Sequence, residues 1–138
     1  MTIKQVSVFL ENKTGRINHV TKILAANNIN MLAFSMAETT EFGILRLIVS
    51  DVEKSVEVLR NANFAVMLTD VVCIACPDVA GSLATILDQL AEHEIFIEYM
   101  YAFAKGENAN VVIRPNNIDK CINALEQCNC NIVRNQEF

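Results

Sequence analysis

Histidine, proline and glycine are scarce in this chain: 138 residues hold two, two and four of them. So few proline and glycine residues leave little room for a flexible linker. The two histidines offer little to nucleophilic catalysis: neither His19 nor His93 has a Ser, Cys or Asp at a spacing that suggests it. His19 falls off the apolar stripe of its segment, on a face expected to be solvated, and His93 is expected to end a helix, where a cationic imidazole suits the dipole. No run approaches the ~20 apolar residues of a membrane span. The opening MTIKQVSVFLENK has neither a separate hydrophobic segment nor a small-residue cleavage site, which predicts no signal peptide. Basic residues are outnumbered, 11 against 16 acidic, for a net charge of −5, which argues against a broad phosphate-binding surface. No Walker-type or dinucleotide loop and no paired metal ligands on a helix are present. The five cysteines are an odd number and predict free thiols in a reducing cytoplasm.

What is abundant is apolar residue, 52%, enough for a core. The chain is also written twice. A shift of 66 residues places Gly15 on Gly81, Leu24-Ala25 on Leu90-Ala91 and Ile29 on Ile95 without a gap; Val6, Glu41, Lys54 and Leu59 fall on Val72, Glu107, Lys120 and Leu125. Each copy reads strand, helix, strand, strand, helix, strand. In the first, residues 3–10 read as a strand, and Ile17, Val20 and Leu24 give residues 16–27 a helical stripe. Strands are expected at 30–38 and 43–50 around the turn T39-T40-E41-F42. Asp51 stands where an N-cap belongs, Val52, Val56, Leu59 and Ala62 stripe a second helix, and 64–69 closes the unit. In the second copy, Leu83, Ile86, Leu87, Leu90 and Ala91 mark one helix and Ile118, Cys121, Ile122, Leu125 and Cys128 the other, with strands at 70–76, 95–104, 109–114 and 130–134. This order predicts an α+β fold: two tandem ferredoxin-like βαββαβ modules, residues 1–68 and 69–138, each an antiparallel sheet with helices on one face.

The strands I29-N30-M31-L32-A33-F34-S35-M36-A37 and I95-F96-I97-E98-Y99-M100-Y101-A102-F103 are apolar at both sets of alternate positions. Helices cover only one sheet face, so the other is expected to meet a second sheet, within the chain or in a second chain, of which a homodimer is the favoured reading.

Two strand-to-helix turns carry the chemistry, E11-N12-K13-T14-G15-R16 and P77-D78-V79-A80-G81-S82. A helix N-terminus presents unpaired N–H groups and a partial positive charge, so a carboxylate is a natural guest. Gly15 and Gly81 stand where the backbone turns sharply and must be approached closely. Side-chain oxygens of Asn12, Asn30 or Asp78 can accept from an ammonium group. Apolar walls follow from Leu10, Ile17 and Met31, and in the second copy from Cys76, Leu83 and Ile97. Geometry alone also uses Gly and Asn in such turns.

The run from Val6 to Met31, with its E-N-K-T-G turn, its helix ending L24-A25-A26-N27-N28 and then I29-N30-M31, resembles the ACT domain. The resemblance extends over almost the whole chain as two tandem copies. It implies a small regulatory module that binds a free amino acid at module interfaces, with no cofactor and no metal, acting on a separate partner enzyme. The family pattern of Asn or Asp three residues before the turn glycine, and Asn after the first helix, falls on Asn12, Gly15 and Asn30. It looks particularly like the serine-sensing members, but a polar ligand-holding residue of those is Leu10 here, and the family's usual proline before glycine is Thr14 in one copy and Ala80 in the other. The resemblance implies ligand contacts from Leu10, Asn12, Lys13, Thr14, Gly15, Arg16, Ile17, Asn30 and Met31, and from Cys76, Asp78, Val79, Ala80, Gly81, Ser82, Leu83, Phe96 and Ile97. In the family a turn is completed by the post-helix position of the neighbouring module, which pairs Asp78 with Asn30 and Asn12 with Phe96. The charge of Asp78 favours the former for an ammonium. The second reading is a ligand-free module that assembles with a partner subunit.

Cys73-I-A-Cys76 has metal-ligand spacing, but on a strand positions i and i+3 point to opposite faces. Cys121, Cys128 and Cys130 read as core or helix-end thiols. Tyr99, Tyr101 and Phe103, expected on a middle strand, are the single-stranded RNA signature of this topology. The acidic charge and Glu98 count against nucleic acid.

Overall fold

Alternating apolar runs and 3.6-residue stripes become seven strands and four helices in the computed structural model, which describes residues 1–39, 41–134 and 138. The chain forms two compact units, Lys4–Thr69, and Asp70–Phe138 with Met1–Ile3. The first holds β1 (Ile3–Glu11), α1 (Arg16–Ala26), β2 (Met31–Glu38), β3 (Phe42–Val49) and α2 (Val52–Asn61). β4 (Ala65–Pro77) leads into the second, which holds α3 (Ser82–Glu92), β5 (Ile97–Lys105), β6 (Asn108–Pro115), α4 (Ile118–Gln127) and β7 (Asn131–Val133). Each repeat is the ferredoxin-like βαββαβ pattern. Of the turn T39-T40-E41-F42, Thr40 lies outside the described residues; Thr39 closes the rest, its Oγ1 donating to the Phe42 carbonyl at 2.7 Å.

Two expectations are corrected. Residues 64–69 and 70–76 are not separate strands but parts of the 13-residue β4, because nothing between Ala65 and Cys76 breaks extended backbone. β5 is not a middle strand: β6 lies between it and β4, so Tyr99, Tyr101 and Phe103 stand on an edge.

In the first unit β3 pairs antiparallel with both β2 and β1. Val6, Val8 and Leu10 of β1, Leu45 and Leu47 of β3, Val20 and Leu24 of α1 and Leu59 of α2 share one core between sheet and helices. In the second, Val72, Ile74 and Cys76 of β4, Val111 and Ile113 of β6, Leu90 of α3 and Leu125 of α4 do the same. Burying each such side chain contributes about 1.5–3 kcal/mol. The most exposed large apolar groups of the edge strands are on the helix side of the sheet. Phe34, 63% exposed, registers with Leu47, and Met100 with Ile113. On the opposite face Ala33, Ile48, Cys73 and Val112 are buried.

Helix ends repeat at the same spacing as the sequence. Asp51 caps α2 by accepting from the Lys54 N–H at 3.1 Å, and Asn117 caps α4 by accepting from Lys120 at 3.0 Å. All four helices close alike, on a left-handed residue: Asn28, Asn63, Glu94 and Asn129, with φ of 55°, 68°, 57° and 56°. The next residue, Ile29, Phe64, Ile95 or Cys130, donates its N–H to the carbonyl of Leu24, Leu59, Leu90 or Leu125. These are Schellman ends, whose hydrophobic latch packs into the core. Glu94 carries a Cβ penalty there that glycine avoids. Glu94→Gly is expected to raise unfolding free energy by about 0.5–1 kcal/mol in urea denaturation, a sign opposite to that of most glycine substitutions.

His93 caps α3 and ties it to α4. Its Nδ1 lies 2.8 Å from the Gln89 carbonyl and its Nε2 3.1 Å from Gln127 Oε1. Two acceptors favour a proton on each nitrogen, so the imidazole pKa is raised, first by the Gln89 carbonyl and then by Gln127. A raised folded value stabilises fully below the ordinary histidine pKa, about 6.5, and the gain is lost as pH rises through the folded value. His93→Ala is therefore expected to lower the urea midpoint more at about pH 5.5 than at about pH 8.5.

Candidate functional site

The helices differ at their starts. α2 and α4 have side-chain caps, whereas α1 and α3 open on Gly15 and Gly81, left-handed at φ 89° and 91°, with no side-chain cap. A Cβ on either glycine meets nothing within 4 Å. The first-turn N–H groups of these two helices thus lack the partner that a Ser, Asp or Asn supplies elsewhere.

At the first turn the sheet leaves a gap. Register sets Leu10, Gly43 and Glu38 in one row across β1, β3 and β2, on the helix side, with Met36 one step along. Gly43 has no side chain to fill the middle of the row; the Met36 Cε occupies that space, 2.5 Å from where a Cβ would stand. Beside that row lies a cavity of about 300 Å³, to which Leu10, Glu11, Asn12, Lys13, Thr14, Arg16 and Ile17 contribute from the β1–α1 segment and Met36 and Glu38 from β2.

Its charges are not all compensated. Glu11 pairs with Lys13 at 3.0 Å and more loosely with Arg16 at 3.9 Å. Lys13, then Arg16, holds the Glu11 carboxyl below the usual carboxylate range. Among the described residues Glu38 has no ion pair. Asn12 donates its Nδ2 to the Thr39 carbonyl at 3.5 Å, which leaves its Oδ1 as an acceptor. The Arg16 guanidinium lies over the Phe64 ring at 4.9 Å, and among the described residues its buried Nε has no hydrogen-bond partner. The apolar lining is Leu10, Ile17 and Met36, the last two exposed by 42% and 45%.

Asn30 and Met31 do not join this cavity within their unit. They stand at the far end of β2, roughly 20 Å along the strand from Glu38. There the Asn30 N–H donates to Ser50 Oγ at 2.9 Å, and Met31 packs against the core. The second turn has a different floor. The residues that match Leu10, Gly43, Glu38 and Met36 are Cys76, Ala109, Ala104 and Ala102, with neither the gap nor the acid. Cys76 and Leu83 belong to the core. Asp78, Val79, Ala80 and Gly81 are exposed and Ser82 half-exposed; the Asp78 N–H donates to the Glu107 carbonyl at 3.2 Å. Phe96, 65% exposed, donates its N–H to Asn116 Oδ1 at 3.2 Å, and Ile97 packs on the core beside it.

Met36, Glu38 and Gly43 were not singled out by the sequence. A signal existed: the β2-β3-β1 order sets the end of β2 across β3 from the end of β1, and an acid there, with a glycine in β3 between, leaves the row without a central side chain.

The thiols are quiet. Cys76 faces the helix-side core and Cys73 the opposite side, where it registers with Val133 and Val112. Burial pushes the Cys73 thiol up to about 12 and that of Cys121 to about 11, away from the thiolate that ligates metals or attacks. Among the described residues no group of three His, Cys, Asp or Glu could hold a metal ion, and no helix is long and apolar enough to cross a membrane. His19 is exposed, but its ring packs edge-on against Phe64 at 5.2 Å.

Similarity to known proteins agrees with this architecture. No curated protein matches the chain. The crystal structure of protein BT0572 from Bacteroides thetaiotaomicron shares 52% identity over 96% of this chain and 92% of its own, with a TM-score of 0.93. The ligand-free regulatory subunit of aspartate kinase from Thermus thermophilus shares 17% identity over 90% and 91%, with a TM-score of 0.64, and that from Thermus flavus 16% over 90% and 90%, with 0.63. At such identity the two kinase subunits speak for the fold. The family model described as "ACT domain pair" matches residues 1–138, and the chain belongs to that family of regulatory modules.

Proposed function

We propose that this protein is a non-catalytic sensor that binds a free amino acid with an apolar side chain at its first turn and regulates a separate enzyme or regulator of amino-acid metabolism. One observation carries the reading: the uncapped start of α1, at Arg16 and Ile17, lines a cavity to which Glu38, without an ion pair among the described residues, also contributes. The ligand carboxylate lies at the N-terminus of α1. Its ammonium is held by Glu38 and the Asn12 Oδ1. Its side chain rests on Leu10, Ile17 and Met36, and Leu10 disfavours serine. Asp78 gave the second turn a charge advantage in the sequence; Gly43 and Glu38 move the proposal to the first. The reading includes a cytoplasmic location and a homodimer, for which the exposed Phe34 and Met36 on edge strand β2 supply apolar surface.

A thermal-shift panel of the proteinogenic amino acids at millimolar concentration tests it. Ligand at a hundredfold excess over Kd stabilises by about 2.7 kcal/mol. Stabilisation by apolar members alone is expected. A flat panel favours the second reading, a ligand-free assembly module that uses the same exposed edges.

A further inference from the structure

We propose, on the reading that an amino acid binds at the first turn, that Glu11 is a built-in competitor for the ligand carboxylate and that the two compete for Arg16. Two acids, Glu11 and Glu38, and two cations, Lys13 and Arg16, line that cavity. A free amino acid brings one charge of each sign. Glu38 has no ion pair among the described residues and is open to the ammonium. The cations are not open in the same way, because the Glu11 carboxylate already pairs with both.

The two contacts of Glu11 differ. Its Oε2 lies 3.0 Å from Lys13 Nζ, a close ion pair, whereas its Oε1 lies 3.9 Å from Arg16 Nη2, beyond hydrogen-bond reach. The hydrogen bond and charge of Lys13, and only then the charge of Arg16, hold the Glu11 carboxyl below the usual carboxylate range. Arg16 is thus the cation that an incoming carboxylate can win. It is the first residue of α1, the helix start to which the ligand carboxylate is assigned, and its guanidinium rests on the Phe64 ring at 4.9 Å. Its Nε is buried with no hydrogen-bond partner among the described residues, so the planar fork has a donor to spare. On binding, the ligand carboxylate takes Arg16 and Glu11 stays with Lys13. Lys13 then acts on the ligand through Glu11, by holding it away from Arg16.

Calorimetric titration of the full chain with L-leucine, L-methionine and L-leucinamide, which lacks the carboxylate, tests this. Glu11 and Lys13 are exposed, so both can be changed without loss of fold. Glu11→Gln is expected to bind L-leucine and L-methionine about threefold to fivefold more tightly, the range of an exposed ion pair, and L-leucinamide no more tightly. Lys13→Gln, which leaves Glu11 to Arg16 alone, is expected to weaken L-leucine by a similar factor, and to change nothing when Glu11→Gln is already present. Equal or weaker binding of both amino acids in Glu11→Gln, with binding to the unaltered chain intact, overturns the competition and leaves the first-turn site standing. The same gain for L-leucinamide overturns it too, because the competition is then not for a carboxylate. So does a loss in Lys13→Gln that persists without Glu11. No binding of either amino acid to the unaltered chain or to Glu11→Gln overturns the first-turn site itself, and the competition with it.

Discussion

Leu59→Ala is expected to lower the unfolding free energy by about 3–4 kcal/mol. Leu59 is fully buried at the end of α2, packed with Val6, Leu24 and Phe64 in the first core. Its carbonyl also receives the N–H of Phe64 at 3.0 Å, so the side chain and the helix-closing latch meet at one point. Alanine keeps the backbone latch but leaves a void in a fully buried part of the core, which its neighbours close only in part. Most small domains have only ~5–15 kcal/mol in hand. The urea midpoint, followed by far-ultraviolet circular dichroism, should fall at unchanged slope. Leu59→Met, which keeps the volume, should cost less than about 1.5 kcal/mol. Equal losses in the two variants would show that the cavity is not the cause.

The second large effect is on binding. Glu38→Gln keeps shape and removes only charge, so stability should change by no more than about 0.5 kcal/mol. Affinity for the apolar amino acid should fall about tenfold to a hundredfold, the scale of a lost charge-assisted hydrogen bond. Calorimetric titration of both proteins reads the difference. Gly43→Ala acts on the same cavity by volume. Its methyl would stand 2.5 Å from the present Met36 Cε, a flexible end that must move into the cavity. Larger ligand side chains should lose affinity first. Unchanged affinity in Glu38→Gln would remove Glu38 from the ammonium site.

The fold was largely legible in the sequence because the repeat doubles every signal. Val6 and Val72, Leu59 and Leu125, and the caps Asp51 and Asn117 each recur at one spacing, and all occupy matching places. Turn glycines were legible for the same reason: Gly15 and Gly81 are left-handed, as a sharp strand-to-helix corner demands. The strand break near residue 69 was misread because a unit boundary need not break a strand: β4 passes it without Gly or Pro. The place of β5 was misread because edge and middle strands look alike when both are apolar. The cavity was only half legible. Leu10, Asn12, Lys13, Thr14, Arg16 and Ile17 lie within one short segment, so a turn motif finds them. Met36 and Glu38 join them through a strand register that one sequence does not spell out, and Gly43 acts through the side chain that it lacks.

A nitrogen–proton correlation titration of the labelled protein with L-leucine and L-methionine reads the first turn itself. Saturable shifts at the Gly15, Arg16 and Ile17 amides, lost in Glu38→Gln, are expected with either ligand. No saturable shift at these amides with either ligand, or shifts confined to the turn of Asp78 and Gly81, would contradict binding at the first turn.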